Sequence, residues 1–329
     1  MMKKSKNLFI IFCIGLFIIN IIPTTCADDS ISIVCTNTIL ADFTSIITEN
    51  SSNNVTIDYI MPAGACPAHF DTRPSDVSKI INADVIISLG WEPWLEGLIN
   101  KSGKTSVDEI KCSNLGEWNV PERAITYIEC IQDGLSTIFP AYKNIFELKA
   151  DEYINLITIT SEQLKETIQE QGLADRQIIA MAWQQEFLTG LGLNVTKSYG
   201  PPEGLSVQDE LSILSAASEY DVSVIIDNLQ SGIEFGARIS DETGIVQVIF
   251  TNFPGAFPNT ESYIDMLTYN TNELIKGMQN YDTTTEQVRN LSNQLSSMTM
   301  QRNTSLVFVA IFGILAIMFF VLFKKKQMS

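Results

Sequence analysis

The chain has 329 residues, 45 % of them hydrophobic, and its 38 acidic side chains outnumber the 21 basic ones to give a net charge of −17. A chain of this length can form two domains of ordinary size. The acidic excess argues against nucleic-acid binding, because no basic surface is available to contact phosphates. An acidic surface suits a soluble domain outside the cell.

Residues 1–27 have the three-part pattern of a secretory signal peptide. Three lysines stand near the start, an apolar run extends from Leu8 to about Ile22, and small residues precede Asp28. The segment also fits an uncleaved signal anchor or a lipid-modified Cys26. In each case the chain that follows is expected outside the cytoplasm.

The C-terminal end predicts a membrane anchor. Residues 304–323 carry no charge and are long enough to span a bilayer as a helix. Three lysines follow within the tail 324–329, and the positive-inside rule places them in the cytoplasm. Residues 281–303 are rich in Thr, Ser, Asn and Gln, which predicts a stalk; a short amphipathic helix fits equally well.

Between residues 30 and 280, apolar runs typical of strands alternate with helix-like segments. The predicted strands are Ile31–Cys35, Val55–Ile60, Asp84–Leu89, Gln177–Met181, Val222–Asp227 and Val246–Phe250. From Glu122 to about Gln171 the pattern is helical, with Pro140 as its interruption, and the last helix is predicted at Glu261–Met278. The alternation predicts parallel sheets covered by helices.

The fold class is therefore α/β, with two Rossmann-like lobes joined by a long backbone helix. The predicted boundaries are residues 28–121 for the first lobe, 122–172 for the connecting helical segment and 173–280 for the second lobe.

Several motifs resemble those of the TroA-like (cluster A-I) family of zinc and manganese substrate-binding proteins. The loop from Pro62 to His69, followed by Pro74-Ser-Asp76, is similar to the family's Pro-x-Gly-x-Asp-Pro-His loop and Pro-Ser/Thr-Asp helix start. Residues 240–244 match its Glu-Thr-Gly turn, and Tyr263–Met278 its closing helix. The likeness runs in order through residues 30–280. It implies two rigidly linked α/β lobes with a metal ion held in the cleft between them.

The metal ligands that the resemblance implies are mostly replaced in this chain. His69, the chain's one histidine, stands at the first ligand position. Gly116 takes the second position, Met181 the third, and Thr251 or Asn252 the fourth.

Three interpretations of this loss remain open. In the first, the metal is bound by His69 with neighbouring groups: Cys66, Glu117, Asp227 and Met181. Such a Cys, His and Met set would favour copper(I), with zinc possible, whereas the resemblance implies zinc or manganese. In the second, the cleft holds a larger ligand such as a metal chelate, which His69 coordinates or hydrogen-bonds. The cleft is then lined by Trp91, Trp118, Trp183, Phe253 and Asn252. In the third, the protein is a metal-free envelope or adhesin-type domain.

Two other features bear on function. Cys35, Cys66, Cys112 and Cys130 form an even set in an extracellular domain, which indicates disulfides with three possible pairings. The chain has no Gly-x-Ser-x-Gly elbow, phosphate loop, dinucleotide fingerprint or His-Glu-x-x-His pair, so we do not expect an enzyme.

We therefore predict the extracytoplasmic substrate-binding component of an ABC importer for a transition-metal ion. Its partners would be a membrane permease and a cytoplasmic ATPase, and it would be held at the cell membrane by its C-terminal helix.

Overall fold

The structure is a computed structural model that describes residues 30–51 and 55–327. The predicted signal peptide and the last two residues of the predicted tail lie outside the described residues.

Four parallel strands form the first sheet, in the order β2-β1-β3-β4. The strands are β1 (Ile31–Cys35), β2 (Val55–Tyr59), β3 (Val85–Ser88) and β4 (Asp108–Lys111). The helices between them are α1 (Thr38–Ile47), α2 (Pro74–Asn82) and α3 (Leu95–Ser102). The central strand β3 reads Val-Ile-Ile-Ser and is buried throughout, as expected when helices cover both faces of a parallel sheet.

A second sheet repeats this arrangement in the order β6-β5-β7-β8, again all parallel. Its strands are β5 (Gln177–Met181), β6 (Asn194–Tyr199), β7 (Val222–Asn228) and β8 (Val246–Phe250). The helices between them are α6 (Gln185–Gly190), α7 (Val207–Glu219) and α8 (Glu234–Thr243). In a sheet of this order the strand sequence reverses between β5 and β7, and ligand crevices form outside the carboxyl ends of such strands.

The predicted α/β class and all six predicted strands are confirmed, but two strands escaped prediction. Both β4 and β6 lie at the edge of a sheet. In β4 only Ile110 is buried, and β6 reads Asn-Val-Thr-Lys-Ser-Tyr. An edge strand buries little apolar surface, so neither sequence carries the hydrophobic pattern that marks a strand.

The segment from Glu122 to about Gln171, which was predicted to contain helix and no strand, is formed by two helices. These are α4 (Pro121–Ile138) and α5 (Lys143–Glu170), and a 3-10 turn at Pro140–Tyr142 separates them. The proline stands where the sequence predicted an interruption, because its ring and missing N–H are incompatible with a helix interior.

The C-terminal helix α9 runs from Tyr263 to Gln327 without interruption. The prediction that this helix ends at Met278 was wrong, because residues 281–303 continue it. By length and composition α9 is able to cross a membrane, and none of its most apolar window is buried. Its exposed apolar part coincides with residues 304–323.

Contacts divide the chain into two compact units. The first holds the described residues up to Met61 together with 71–113 and 128–151, and the second holds 62–70, 114–127 and everything from Glu152 onward. The second unit therefore contains β5–β8 and also two earlier segments, the loop with His69 and the turn with Trp118.

One disulfide, Cys112–Cys130, joins the end of β4 to α4 in the first unit. Among the described residues, Cys35 and Cys66 carry free thiols. The expectation that all four cysteines are paired was therefore wrong for these two, and Cys66 keeps a thiol able to bind a ligand.

Candidate functional site

Asn252 is the centre of a buried polar network in the second unit. It follows β8, and its backbone N–H donates to Gln230 Oε1 over 3.1 Å. Its backbone carbonyl accepts from Trp118 Nε1 over 2.6 Å. Its side-chain oxygen accepts from Gln184 Nε2 at 2.5 Å and from Asn119 Nδ2 at 3.0 Å. One residue thus joins three other segments of the unit.

Gln184 and Asn119 enter the network from turns that sequence reasoning did not single out. Gln184 ends a 3-10 turn directly after β5, and Asn119 directly precedes Val120 and α4. Both are buried, and Asn119 Nδ2 also approaches Gln184 Oε1 at 3.4 Å. No donor among the described residues reaches Asn119 Oδ1, which leaves a buried acceptor available to a ligand or a water molecule.

Gln230 connects the network to the loop that carries His69. Its Nε2 donates to the carbonyl of Ala63 over 2.7 Å and to Thr251 Oγ1 over 2.9 Å. Its Oε1 also accepts from Asn228 Nδ2 at 3.1 Å. Gln230 lies just after β7, so the ends of β5, β7 and β8 each contribute an amide side chain to the network. This is the crevice position expected of a parallel sheet of this order.

Trp118 supports the network from one side. It is buried, and its ring lies 5.3 Å from that of Phe253 and 6.0 Å, edge to face, from that of Tyr127. The ring surface is used for packing and the indole N–H for the bond to Asn252. Trp118 is therefore a packing residue beside the amide network rather than an open contact surface.

His69 is exposed on a turn of the 62–70 loop. Its backbone N–H donates to the carbonyl of Cys66 over 3.2 Å. This turn places a histidine and a cysteine, two residue types that can bind metal ions, three residues apart on one short loop. Cys66 is half-buried with a free thiol.

Gly116 cannot easily be replaced by a metal ligand. Its φ is +85°, in the region that favours glycine, and a Cβ there would press on the Arg123 side chain. Its carbonyl accepts from Tyr127 Oη at 2.9 Å. The neighbouring Glu117 is the nearest carboxylate in sequence.

Met181 and Asp227 are occupied by other contacts. Met181 ends β5 fully buried in a hydrophobic cluster that includes Ile179 and Ile225. Asp227 is also buried, and its two carboxylate oxygens accept from Tyr199 Oη at 2.5 Å and Gln247 Nε2 at 2.6 Å. Burial raises the pKa of Asp227, although these hydrogen bonds oppose the rise.

Glu117 and Trp183 line a cavity of about 820 Å³ in the second unit. Three further glutamates, Lys165 and several apolar groups complete its wall: Glu122, Glu162, Glu186, Val120, Phe187 and Leu191. Burial, followed by repulsion from Glu186, raises the pKa of Glu117 above its usual value of 4.5. The remaining tryptophan, Trp91, lies half exposed in the first unit.

No group of three or more His, Cys, Asp or Glu side chains within residues 30–51 and 55–327 is arranged to hold a metal ion. What the structure does bring together are amides: Asn119, Gln184, Asn228, Gln230 and Asn252. Gln184, Gln230 and Asn252 each follow a strand of the second sheet within three residues, whereas no sequence pattern marks Asn119.

The family comparison agrees with this fold. A family model described as "ZnuA: Zinc-uptake complex component A periplasmic" matches residues 33–277. The chain has two four-stranded parallel sheets of the same order and matches this family model. It is therefore a binding protein of the metal-uptake class. The chain belongs to that ZnuA family.

Curated relatives carry related names. A metal ABC transporter substrate-binding lipoprotein from Lactococcus lactis is 23 % identical over 84 % of this chain and 99 % of its own length. The manganese-binding lipoprotein MntA of Halalkalibacterium halodurans is 22 % identical over 76 % of this chain and 89 % of its own. The zinc-binding lipoprotein AdcA of Streptococcus pneumoniae is 26 % identical over 67 % of this chain and 48 % of its own.

Solved structures share the fold. A manganese-bound periplasmic metal-binding protein from Candidatus Liberibacter asiaticus has a TM-score of 0.63 at 18 % identity and covers 76 % of this chain and 100 % of its own. A structure of ZnuA has the same TM-score at 15 % identity and covers 75 % of this chain and 99 % of its own.

Proposed function

We propose that this chain is the extracytoplasmic substrate-binding component of an ABC importer for a transition-metal ion. The observation that carries the proposal is the family match over residues 33–277, supported by relatives named as metal ABC transporter substrate-binding lipoproteins. These relatives are transport components rather than enzymes. They favour a metal-ion receptor over the chelate-binding and metal-free interpretations.

The ion is captured first by His69 with the Cys66 thiol. The two side chains share one turn, and thiolate with imidazole is a ligand pair for zinc or copper(I). Glu117 is the candidate carboxylate ligand. A carboxylate is the type of ligand that manganese would require. We rank Met181 and Asp227 below these three residues as metal ligands, because each would first have to leave its present contacts.

The amide network gives this site a different character from a set of three histidines and a carboxylate. Amide oxygens are neutral and hard, and the position where the resemblance implies an aspartate holds Thr251 or Asn252. Of the ligands proposed above, His69, the Cys66 thiolate and Glu117, the last two therefore supply the negative charge that compensates the ion for its loss of hydration.

A permease and its ATPase are the proposed partners. The test is to reconstitute the candidate pair in liposomes with the full chain and measure ATP hydrolysis with and without zinc, manganese or copper(I). The proposal expects metal-dependent stimulation that falls in His69→Ala. Hydrolysis that is unaffected by this chain under every metal condition would contradict it.

The localisation proposed is a single-pass membrane protein anchored by residues 304–323. Its support is the exposed, uncharged part of α9 followed by three lysines. The chain ending at Asn303 should be released by alkaline extraction, whereas the full chain should stay with the membrane. Equal extraction of both would contradict the anchor.

A further inference from the structure

Tyr281 and Asp282 of α9 contact the rest of the second unit, but the helix continues from residue 283 to residue 303 with almost no side chain buried by the rest of the described chain. Ten of the 23 residues from 281 to 303 are Ser, Thr or Asn, which have low helix propensity. An isolated helix of such composition is marginal in water, because most helices are stabilised by packing of one face. The side chains of this segment are nevertheless almost all exposed.

Four apolar side chains form a stripe along the segment. Val288, Leu291, Leu295 and Met298 follow the 3-4-3 spacing of a coiled-coil seam, and each is between 62 % and 67 % exposed. In heptad terms Val288 and Leu295 take position a, and Leu291 and Met298 take position d. In the first heptad, the β-branched Val288 at a with Leu291 at d favours two parallel strands.

The residues that flank the stripe are all uncharged. Positions e and g hold Thr285, Ser292, Thr299, Gln287, Gln294 and Gln301. The charged residues from Asp282 to Arg289 stand at positions b and f, away from the seam. A charged partner would find no countercharge on these flanks, whereas a second copy presents equally neutral amides and hydroxyls that can hydrogen-bond with them.

We infer that residues 284–298 of α9 pair with the same residues of a second copy of this chain as a parallel, in-register coiled coil. The inference rests on the proposed membrane anchor, because two copies held in one bilayer have the same direction and height. Two heptads are too few for a stable coiled coil in solution, but anchoring raises the effective concentration. The complex would then be a receptor with two binding domains on one stalk.

The ends of the seam follow from its neighbours. Tyr281, at the preceding a position, packs partly against the core of its own unit. Arg302 occupies the next a position, where two guanidinium groups would repel each other. The pairing is therefore confined to the stretch between them.

The test is cysteine cross-linking of the full chain, reconstituted alone in phosphatidylcholine vesicles and oxidised with diamide. Leu291→Cys and Leu295→Cys report on the seam, Asn293→Cys and Ser297→Cys report on outward positions, and the parent chain gives the background. We expect about tenfold more disulfide-linked dimer from the seam cysteines than from the outward ones, as the heptad geometry requires.

Equal cross-linking on both faces, or none on either, would overturn the inference. Cross-linking that appears only after a permease is added would also overturn the inference and would assign the seam to that partner. Failure of the chain to enter the vesicles would overturn it as well. A matched pair supplies the second readout: Leu295→Glu should abolish the dimer formed by Leu291→Cys, and Asn293→Glu should not.

Metal content separates this inference from the proposed function. Leu295→Glu should retain the metal bound by the unsubstituted chain while losing the dimer. Loss of metal binding in every variant, with the dimer intact, would contradict the proposed function and leave the stalk pairing standing.

Discussion

The side-chain amide of Gln184 donates to the side-chain oxygen of Asn252 over 2.5 Å, and both residues are buried. The bond ties the turn after β5 to the turn after β8, on either side of the central strand β7. The resemblance implies a metal-binding aspartate at the position of Thr251 or Asn252. In this chain the same place is held by neutral hydrogen bonds, which stabilise the crevice without a metal ion.

Removal of Gln184 should therefore weaken the second unit. Gln184→Ala leaves buried groups without partners and opens a small cavity, and we expect the free energy of unfolding to fall by about 2–4 kcal/mol. Urea denaturation followed by tryptophan fluorescence measures it. The adjacent Gln185 is exposed, so Gln185→Ala should change stability by less than about 0.5 kcal/mol. Equal losses in the two variants would contradict a special role for the network.

Glu117 should make the stability of the second unit depend on pH. Burial and Glu186 raise its folded pKa above 4.5, so the folded state binds the proton more tightly than the unfolded state. The resulting destabilisation is fully present above the folded pKa and disappears as the pH falls toward 4.5. Glu117→Gln should accordingly stabilise the protein at neutral pH and have no such effect below 4.5.

Thermal unfolding across that pH range checks the effect of Glu117. Glu162→Gln is the control, because Glu162 is an exposed carboxylate on the wall of the same cavity. A gain in stability from Glu117→Gln that is the same at all pH values would show that charge is not its cause.

Gly236 should tolerate no side chain. It lies in α8 against the carboxylate of Asp227, and a Cβ at this position would overlap the carboxylate oxygens. Gly236→Ala must push Asp227 away from Tyr199 and Gln247, with an expected loss of about 1–3 kcal/mol. Gly190 also lies in a helix but has open space around it, so Gly190→Ala should be neutral or stabilising by up to about 1 kcal/mol. Calorimetry measures the stability of both variants, and only Gly236→Ala should be less stable than the unsubstituted chain.

The two free thiols of the described residues, Cys35 and Cys66, should react at very different rates. Cys35 is buried, and burial raises the pKa of its thiol to about 12, so at neutral pH almost no reactive thiolate forms. Cys66 is half-buried on a loop. Cys66→Ser should remove a fast phase of maleimide labelling of the folded chain, whereas Cys35→Ser should leave that phase unchanged. Fast labelling of Cys35 without denaturant would contradict its burial.

Much of the fold followed from hydrophobic patterning, because buried parallel strands such as β3 and β7 are nearly continuous apolar runs. The edge strands β4 and β6 and the continuation of α9 beyond Met278 did not follow, since these elements bury little and carry weak patterns. The resemblance to the family's Pro-x-Gly loop predicted that His69 lies on a loop after β2, and it does.

The amide network was harder to foresee. Gln184 and Asn119 are ordinary polar residues in the sequence, and only the fold brings them to Asn252. Met181 and Asp227 show the reverse case. Both stand at the ends of strands, as metal ligands would, yet packing holds one and hydrogen bonds hold the other.

The most direct test of the proposed function is the metal content of the full chain in detergent, equilibrated separately with zinc, manganese and copper(I) and then freed of unbound metal. Mass spectrometry should find a stoichiometric amount of one transition metal in the unsubstituted chain and in the exposed-site control Glu162→Gln. His69→Ala should lose most of it while keeping its unfolding temperature. Metal that is absent from the unsubstituted chain under every condition, or retained in full by His69→Ala, would contradict a metal receptor built around His69.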